Sequence, residues 1–218
     1  MKTIRFQRLM ALAALAVGSL VASQAQALPL PAGSVLIPAA AEAEPVGGAI
    51  LASTATGFIV AGAFSGTLYS DVIAGDTSNP LGGLTFVYRV DNNGLSGPNS
   101  IGRMSIASML GFAIDASYNP SAGVAPASID RNPSGDVIGF NFVPTPIDPL
   151  AGFLAPGSSS ARLIVQTNAP AYTSAVASLI DGGVITVPTF GPAVPEPSSI
   201  MLGLGGLVSL AALRLRRR

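Results

Sequence analysis

Residues 177–190 read ASLIDGGVITVPTF, from Ala177 to Phe190. Two short apolar runs flank Asp181-Gly182, a dipeptide typical of two-residue β-hairpins because it tolerates the positive φ such turns demand. The same period-two alternation returns upstream. In GLTFVYRVDN (83–92), Leu84, Phe86, Tyr88 and Val90 share one face against Thr85, Val87 and Arg89. DVIGFNF sets Ile138, Phe140 and Phe142 against Val137, Gly139 and Asn141, and ARLIVQTN (161–168) continues the pattern. In GFIVAGAFSGTLYSDVI (57–73), period two places Phe58, Val60, Gly62 and Phe64 on one face. Residues 101–118 have a helix-compatible centre at Met104–Leu110, but the serines and the later glycine favour strands. Short strands between Gly, Pro, Asn and Ser turns predict an all-β fold. An antiparallel β-sandwich is expected over residues 55–191, with jelly-roll and Ig-like strand orders both open. Ahead of it, residues 28–54, which hold LPLPAGSVLIPAAAEAEPVGG, read as a flexible Pro/Ala-rich segment.

Composition narrows the chemistry. The 218 residues contain neither cysteine nor histidine, which removes thiolate nucleophiles, Ser-His-Asp triads and His/Cys metal sites. Lysine occurs only at position 2, so Schiff-base chemistry is excluded from the body as well. Without disulfides, an exported domain must stand on its apolar core, and about 165 residues suffice for that. The balance of 11 basic and 11 acidic residues is misleading, because seven of the basic ones lie near the two ends. Between them, Arg89, Arg103, Arg131 and Arg162 face all 11 carboxylates, a net charge of −7. Such a body has no basic patch for phosphates, and nucleic acid is excluded as a partner.

The two ends read as targeting signals. Lys2, Arg5 and Arg8 precede the apolar run Leu9–Leu20, and small residues follow at Ala25 and Ala27. This is the pattern of a secretory signal peptide over residues 1–27, cut between Ala27 and Leu28. It implies a secretion translocon and signal peptidase as partners. At the other end, Ile200–Leu213 is 14 apolar or small residues, about 21 Å as a helix at ~1.5 Å per residue, against a hydrocarbon core of roughly 30 Å. A short hydrophobic helix of this kind holds a protein in the inner membrane only transiently. Arg214, Arg216, Arg217 and Arg218 are expected to stay cytoplasmic. Just outside, Pro195, Glu196 and Pro197 cannot join a helix or a sheet ladder and remain extended.

This three-part tail, VPEPSS, apolar run and RLRRR over residues 192–218, resembles the sorting signal of the PEP-CTERM proteins, a family of exported bacterial proteins. The resemblance implies that Pro195-Glu196-Pro197 is read at the membrane by an exosortase, which removes the tail. The body, with SGTLYSDV, NPLGGLTFVYRVDN, GDVIGFNF and ARLIVQTNA in that order, is similar to PEP-CTERM substrates of unassigned activity. An outer-surface or extracellular-matrix destination is implied, with a structural, biofilm-associated role and exopolysaccharide as a candidate partner.

Other candidates are weaker. Asp130, Asn132, Ser134 and Asp136 in DRNPSGD imitate the start of a Ca²⁺ loop, but Asn141 stands where the bidentate glutamate belongs and Pro133 intrudes. An ordinary turn is expected there, with no metal and no cofactor. Asp71 with Asp76, and Asp91 with Asn92, read as turn residues. Two carboxylates can hydrolyse glycosides, but no pair is singled out, and no catalytic residue is expected. A carbohydrate-binding platform would draw on Tyr69, Tyr88, Tyr118 and Tyr172, for which packing roles are favoured.

Overall fold

The computed structural model describes residues 29–146 and 152–193. The expected signal peptide with Ala25, Ala27 and Leu28, the motif Pro195–Pro197, the short hydrophobic helix and Arg214–Arg218 lie outside the described residues. Among the described residues there is no helix, and so none long and apolar enough to cross a membrane.

The strands are β1 (Val35–Leu36), β2 (Ala49–Val60), β3 (Phe64–Ala74), β4 (Thr85–Asn92), β5 (Arg103–Ile106) and β6 (Ile114–Asn119). They continue with β7 (Ser128–Arg131), β8 (Ile138–Asn141), β9 (Ser158–Ser159), β10 (Arg162–Thr167), β11 (Tyr172–Ile180) and β12 (Val184–Pro192). One sheet runs β2-β3-β4-β10-β6, with β9 added to β4, and the other runs β1-β7-β8-β5-β11-β12. Every ladder between named strands is antiparallel. The all-β antiparallel sandwich is therefore as the alternation predicts.

The core lies between the sheets. Phe64, Leu68, Val72, Phe86, Tyr88, Val90, Leu163 and Val165 point in from one side. Met104, Ile106, Ile129, Ile138, Phe140, Ala177 and Leu179 meet them from the other. Alternation on each strand puts these residues on one face, which is what makes burial and register agree. Tyr88 is fully buried, and its hydroxyl donates to the Phe190 carbonyl at 2.8 Å, tying β4 to β12 across the sandwich. Tyr88→Phe keeps the ring but leaves that carbonyl without its partner. We expect a loss of about 1–2 kcal/mol, read from urea unfolding midpoints with an unchanged slope.

Three expectations need correction. The sandwich does not begin at residue 55: residues 28–54, read as a flexible segment, contain β1 and the first half of β2. Leu30 is fully buried, β1 pairs with β7, and Glu42 N–H donates to the Tyr118 carbonyl. Its prolines, glycines and run of alanines concealed a stretch whose backbone is bound to the sheets. Second, Phe58, Val60, Gly62 and Phe64 do not line one strand, because the chain reverses at Ala61–Ala63 with Gly62 at φ +75°. Third, the Asp181-Gly182 hairpin is a three-residue loop, since Ile180 pairs with Val184 and Gly182 takes φ +59°. Met104–Leu110 holds β5 and then a turn with Ser108 at φ +75°, not a helix.

The last strand is held along its whole length. Nine register pairs join β11 to β12, from Tyr172–Pro192 to Ile180–Val184. Beyond them, Ala193 N–H donates to the Ala171 carbonyl at 3.0 Å.

Candidate functional site

The densest collection of ionisable groups sits on the outer face of the β2-containing sheet. Register places Thr85 of β4, Gln166 of β10 and Asp115 of β6 in one row across three strands. Ser117 lies two residues further along β6. Over this row passes an extended strap, residues 39–46. Its backbone is fixed by Ala39 N–H on the Ala127 carbonyl, Tyr118 N–H on the Ala40 carbonyl and Glu42 N–H on the Tyr118 carbonyl. Further along, Asn119 Nδ2 donates to the Glu44 carbonyl at 2.7 Å, and Val46 N–H to Asp76 Oδ1 at 3.0 Å.

An extended strap alternates its faces, and here the polarity is inverted. Ala41 and Ala43 are exposed, while Glu42 and Glu44 point at the sheet and retain 5% and 6% of their accessible surface. They join Asp115, which is 2% exposed, and Asp76 at the other end of the row. Ser117 Oγ donates to Glu44 Oε2 at 3.2 Å.

The four carboxyls are not equivalent. Burial, then the neighbouring Glu44 and Asp115 charges, push Glu42 up to about 7. Burial and Glu44 raise Asp115 to about 6. Burial also raises Glu44, against hydrogen bonds with Ser117, Glu42 and Gln166 that favour its charged form. At Asp76 burial acts upward too, but it is outweighed by hydrogen bonds from Ser78, Thr85 and Val46, which hold this carboxylate below the usual range. Asp76 Oδ2 accepts from Thr85 Oγ1 at 2.7 Å and from Gln166 Nε2 at 3.2 Å. Three buried oxygens of this cluster have no hydrogen-bond partner among the described residues: Glu42 Oε2, Asp115 Oδ1 and Gln166 Oε1. The signal for this site, glutamates at i and i+2 in AAAEAEP, was present in the sequence.

The residues singled out from the sequence are dispersed or engaged elsewhere. Asp130 is gripped by Arg103, whose Nη2 donates to Oδ1 at 2.8 Å and Nη1 to Oδ2 at 2.5 Å. Burial acts to raise Asp130, but Arg103 and Asn141 bring it below its ordinary range. Asn132, Ser134 and Asp136 turn on themselves instead. Asn132 Oδ1 accepts from the Asp136 and Val137 amides, while Asn132 Nδ2 and Ser134 Oγ both donate to Asp136 Oδ1. This is the β7–β8 turn, with Gly135 at φ +80°, and Asp130 points away from it. The tyrosines form no common platform. Tyr88 is in the core, Tyr69 lies under the Arg89 guanidinium at 4.3 Å, and Tyr118 packs half-buried against the core. Tyr172, on the other sheet, meets Phe190 edge-on at 5.5 Å. Asp71 accepts from Ser53 Oγ, Asp91 pairs with Arg89, and Asn92 Nδ2 bridges the Asn99 and Leu154 carbonyls.

No curated protein and no solved structure matches the chain. The family comparison falls wholly beyond β12: residues 193–218 match the PEP-CTERM protein-sorting motif. Pro195, Glu196 and Pro197 lie within the matched span, as does the arginine cluster. The chain thus carries behind its sandwich the PEP-CTERM sorting signal, the mark of a protein exported from the cell and handled at the membrane by an exosortase.

Proposed function

We propose that the mature protein is a structural or adhesive component of the bacterial outer surface or extracellular matrix, freed from a transient inner-membrane anchor when an exosortase removes its tail. In this reading the chain is a substrate of catalysis and not a catalyst. The observation that carries it is the match of residues 193–218 to the sorting motif.

The body supports a role in assembly. Strand β2 is a 12-residue sheet edge, AILASTATGFIV, without a charged residue or a proline. Unprotected edges of this kind offer their backbone groups to further chains. The −6 charge of residues 28–191, four arginines against ten carboxylates, keeps copies apart elsewhere on the surface.

Intact-mass analysis of the protein recovered from its native host tests the processing. The expected mass lacks Ile200–Arg218, and Glu196→Ala is expected to leave the tail in place. A wild-type mass that retains the tail contradicts the proposal. Pull-down on the host's own exopolysaccharide then separates an adhesive component from a purely structural one.

A further inference from the structure

We propose that residues 39–46 are a proton-latched strap: protons kept on its inward, buried carboxyls hold this segment over the outer edge of β6 at Tyr118, and their loss releases the strap and bares that edge. The proposal goes beyond the sorting function and does not depend on it.

The geometry begins with β6, the terminal strand of its sheet. At its outer edge the strap takes both backbone groups of Tyr118, through Tyr118 N–H to Ala40 and Glu42 N–H to Tyr118, both at 2.9 Å, while Leu30 N–H holds the Ile114 carbonyl at the other end. The strap in turn rests on its two inward glutamates. Among the described residues, every charged group that acts on them is a carboxylate: Glu42 and Glu44 from the strap, Asp115 from β6, and Asp76 from the segment after β3. The body has no lysine, and its arginines are spent elsewhere. Arg89 is paired with Asp91, Arg103 with Asp130, and Arg131 is occupied with backbone carbonyls, while Arg162 is exposed. Without a cation, the cluster stays buried only by keeping protons.

A bound metal is the rival means of neutralisation. Among the described residues, however, no three Asp or Glu side chains are placed to hold an ion. The unpartnered Glu42 Oε2, Asp115 Oδ1 and Gln166 Oε1 are buried acceptors in the same place, and each extra negative charge there worsens their situation.

The sign follows from linkage. Glu42, at about 7, and Asp115, at about 6, bind protons more tightly when the strap is closed than when it is open and solvated. Closure is therefore favoured by them below the ordinary carboxylate range. It weakens as pH rises through that range to about 7, and the full penalty is present above it. Asp76, held low, has the opposite sign and loosens its contacts only in strong acid.

Amide hydrogen exchange on the full-length protein tests the latch, with rates corrected for intrinsic pH dependence. The reporters are the Glu42 and Tyr118 amides, and the Val165 amide of β10 is the internal reference. Between about pH 5 and about pH 8.5, protection of the two reporters is expected to fall roughly tenfold or more relative to Val165. In Glu42→Gln, which replaces an ionisable carboxyl by a permanently neutral amide, the fall should shrink to at most the part that Asp115 contributes. Three results overturn the latch: reporter protection that ignores pH in the wild type, a fall that is undiminished in Glu42→Gln, or loss of the low-pH protection on adding a chelator, which would assign the site to a bound cation. Asp115→Asn provides a second reading should Glu42→Gln fold poorly, and is expected to reduce the fall.

Discussion

Replacing Arg131 by methionine is expected to remove about 4 kcal/mol or more of stability, among the largest losses that a single change can cause here. Arg131 is 7% exposed, and among the described residues no carboxylate pairs with its guanidinium. Its hydrogen atoms go to main-chain oxygens instead. Nε donates to Gly135 at 3.0 Å, Nη1 to Leu30 at 3.1 Å, and Nη2 to Met109, Phe112 and Gly135 at 2.8–3.0 Å. One side chain thereby gathers the entry segment, the β5–β6 connection and the β7–β8 turn. Methionine matches much of the volume but leaves these carbonyls facing an apolar side chain, each at a cost of ~1–3 kcal/mol. Lysine keeps the charge without the planar fork and should recover less than half of the loss. Urea unfolding of the three proteins at one pH measures this. A change below about 1 kcal/mol in the methionine variant would mean that water satisfies the freed carbonyls.

Gly66→Ala should be more disruptive in kind, because no side-chain movement can relieve it. Gly66 sits in β3 opposite Asn92 of β4, and an added Cβ would lie 1.8 Å from the Asp91 carbonyl oxygen and 2.8 Å from the Phe58 ring. The obstacle is backbone in a central strand, so β3 and β4 must separate or shift register. Either movement breaks the longest continuous pairing of that sheet, β2-β3-β4. Loss of several kcal/mol is expected, enough to empty the soluble fraction at ordinary growth temperature. Recovery of soluble protein and its near-ultraviolet circular dichroism are the measurements. A native spectrum would show that the strands tolerate a local bulge.

Where hydrophobic period coincides with burial, the sequence was readable. Leu84, Phe86, Tyr88 and Val90 alternate in the chain and all reach the core, as do Ile138, Phe140 and Phe142. Reading failed where burial depends on backbone pairing and not on apolar side chains. The AAAEAEP stretch has none of the large side chains a core requires, so it reads as part of a flexible segment, yet the strap turns Ala41 and Ala43 outward and its carboxyls in. Thr85, Gln166 and Asp115 could not be joined in advance either, since their row exists only once β4, β10 and β6 are in register. The turn at Ala61–Ala63 was hidden by the chance continuation of period two through Gly62. The sorting motif was legible because its chemistry is local: two prolines around an acid, a short apolar run and arginines need no tertiary partners to be recognised.

The hydrogen bond from Ala193 to Ala171 bears on how the tail is cut. Only three peptide units separate this fastened residue from Glu196, a reach of roughly 10 Å at ~3.3–3.6 Å per residue. There is no tether long enough to dangle the tripeptide into a recessed cleft while the sandwich stands clear. Under the processing proposed above, an enzyme that reads Pro195-Glu196-Pro197 works within about this distance of the sandwich, or first frees the end of β12.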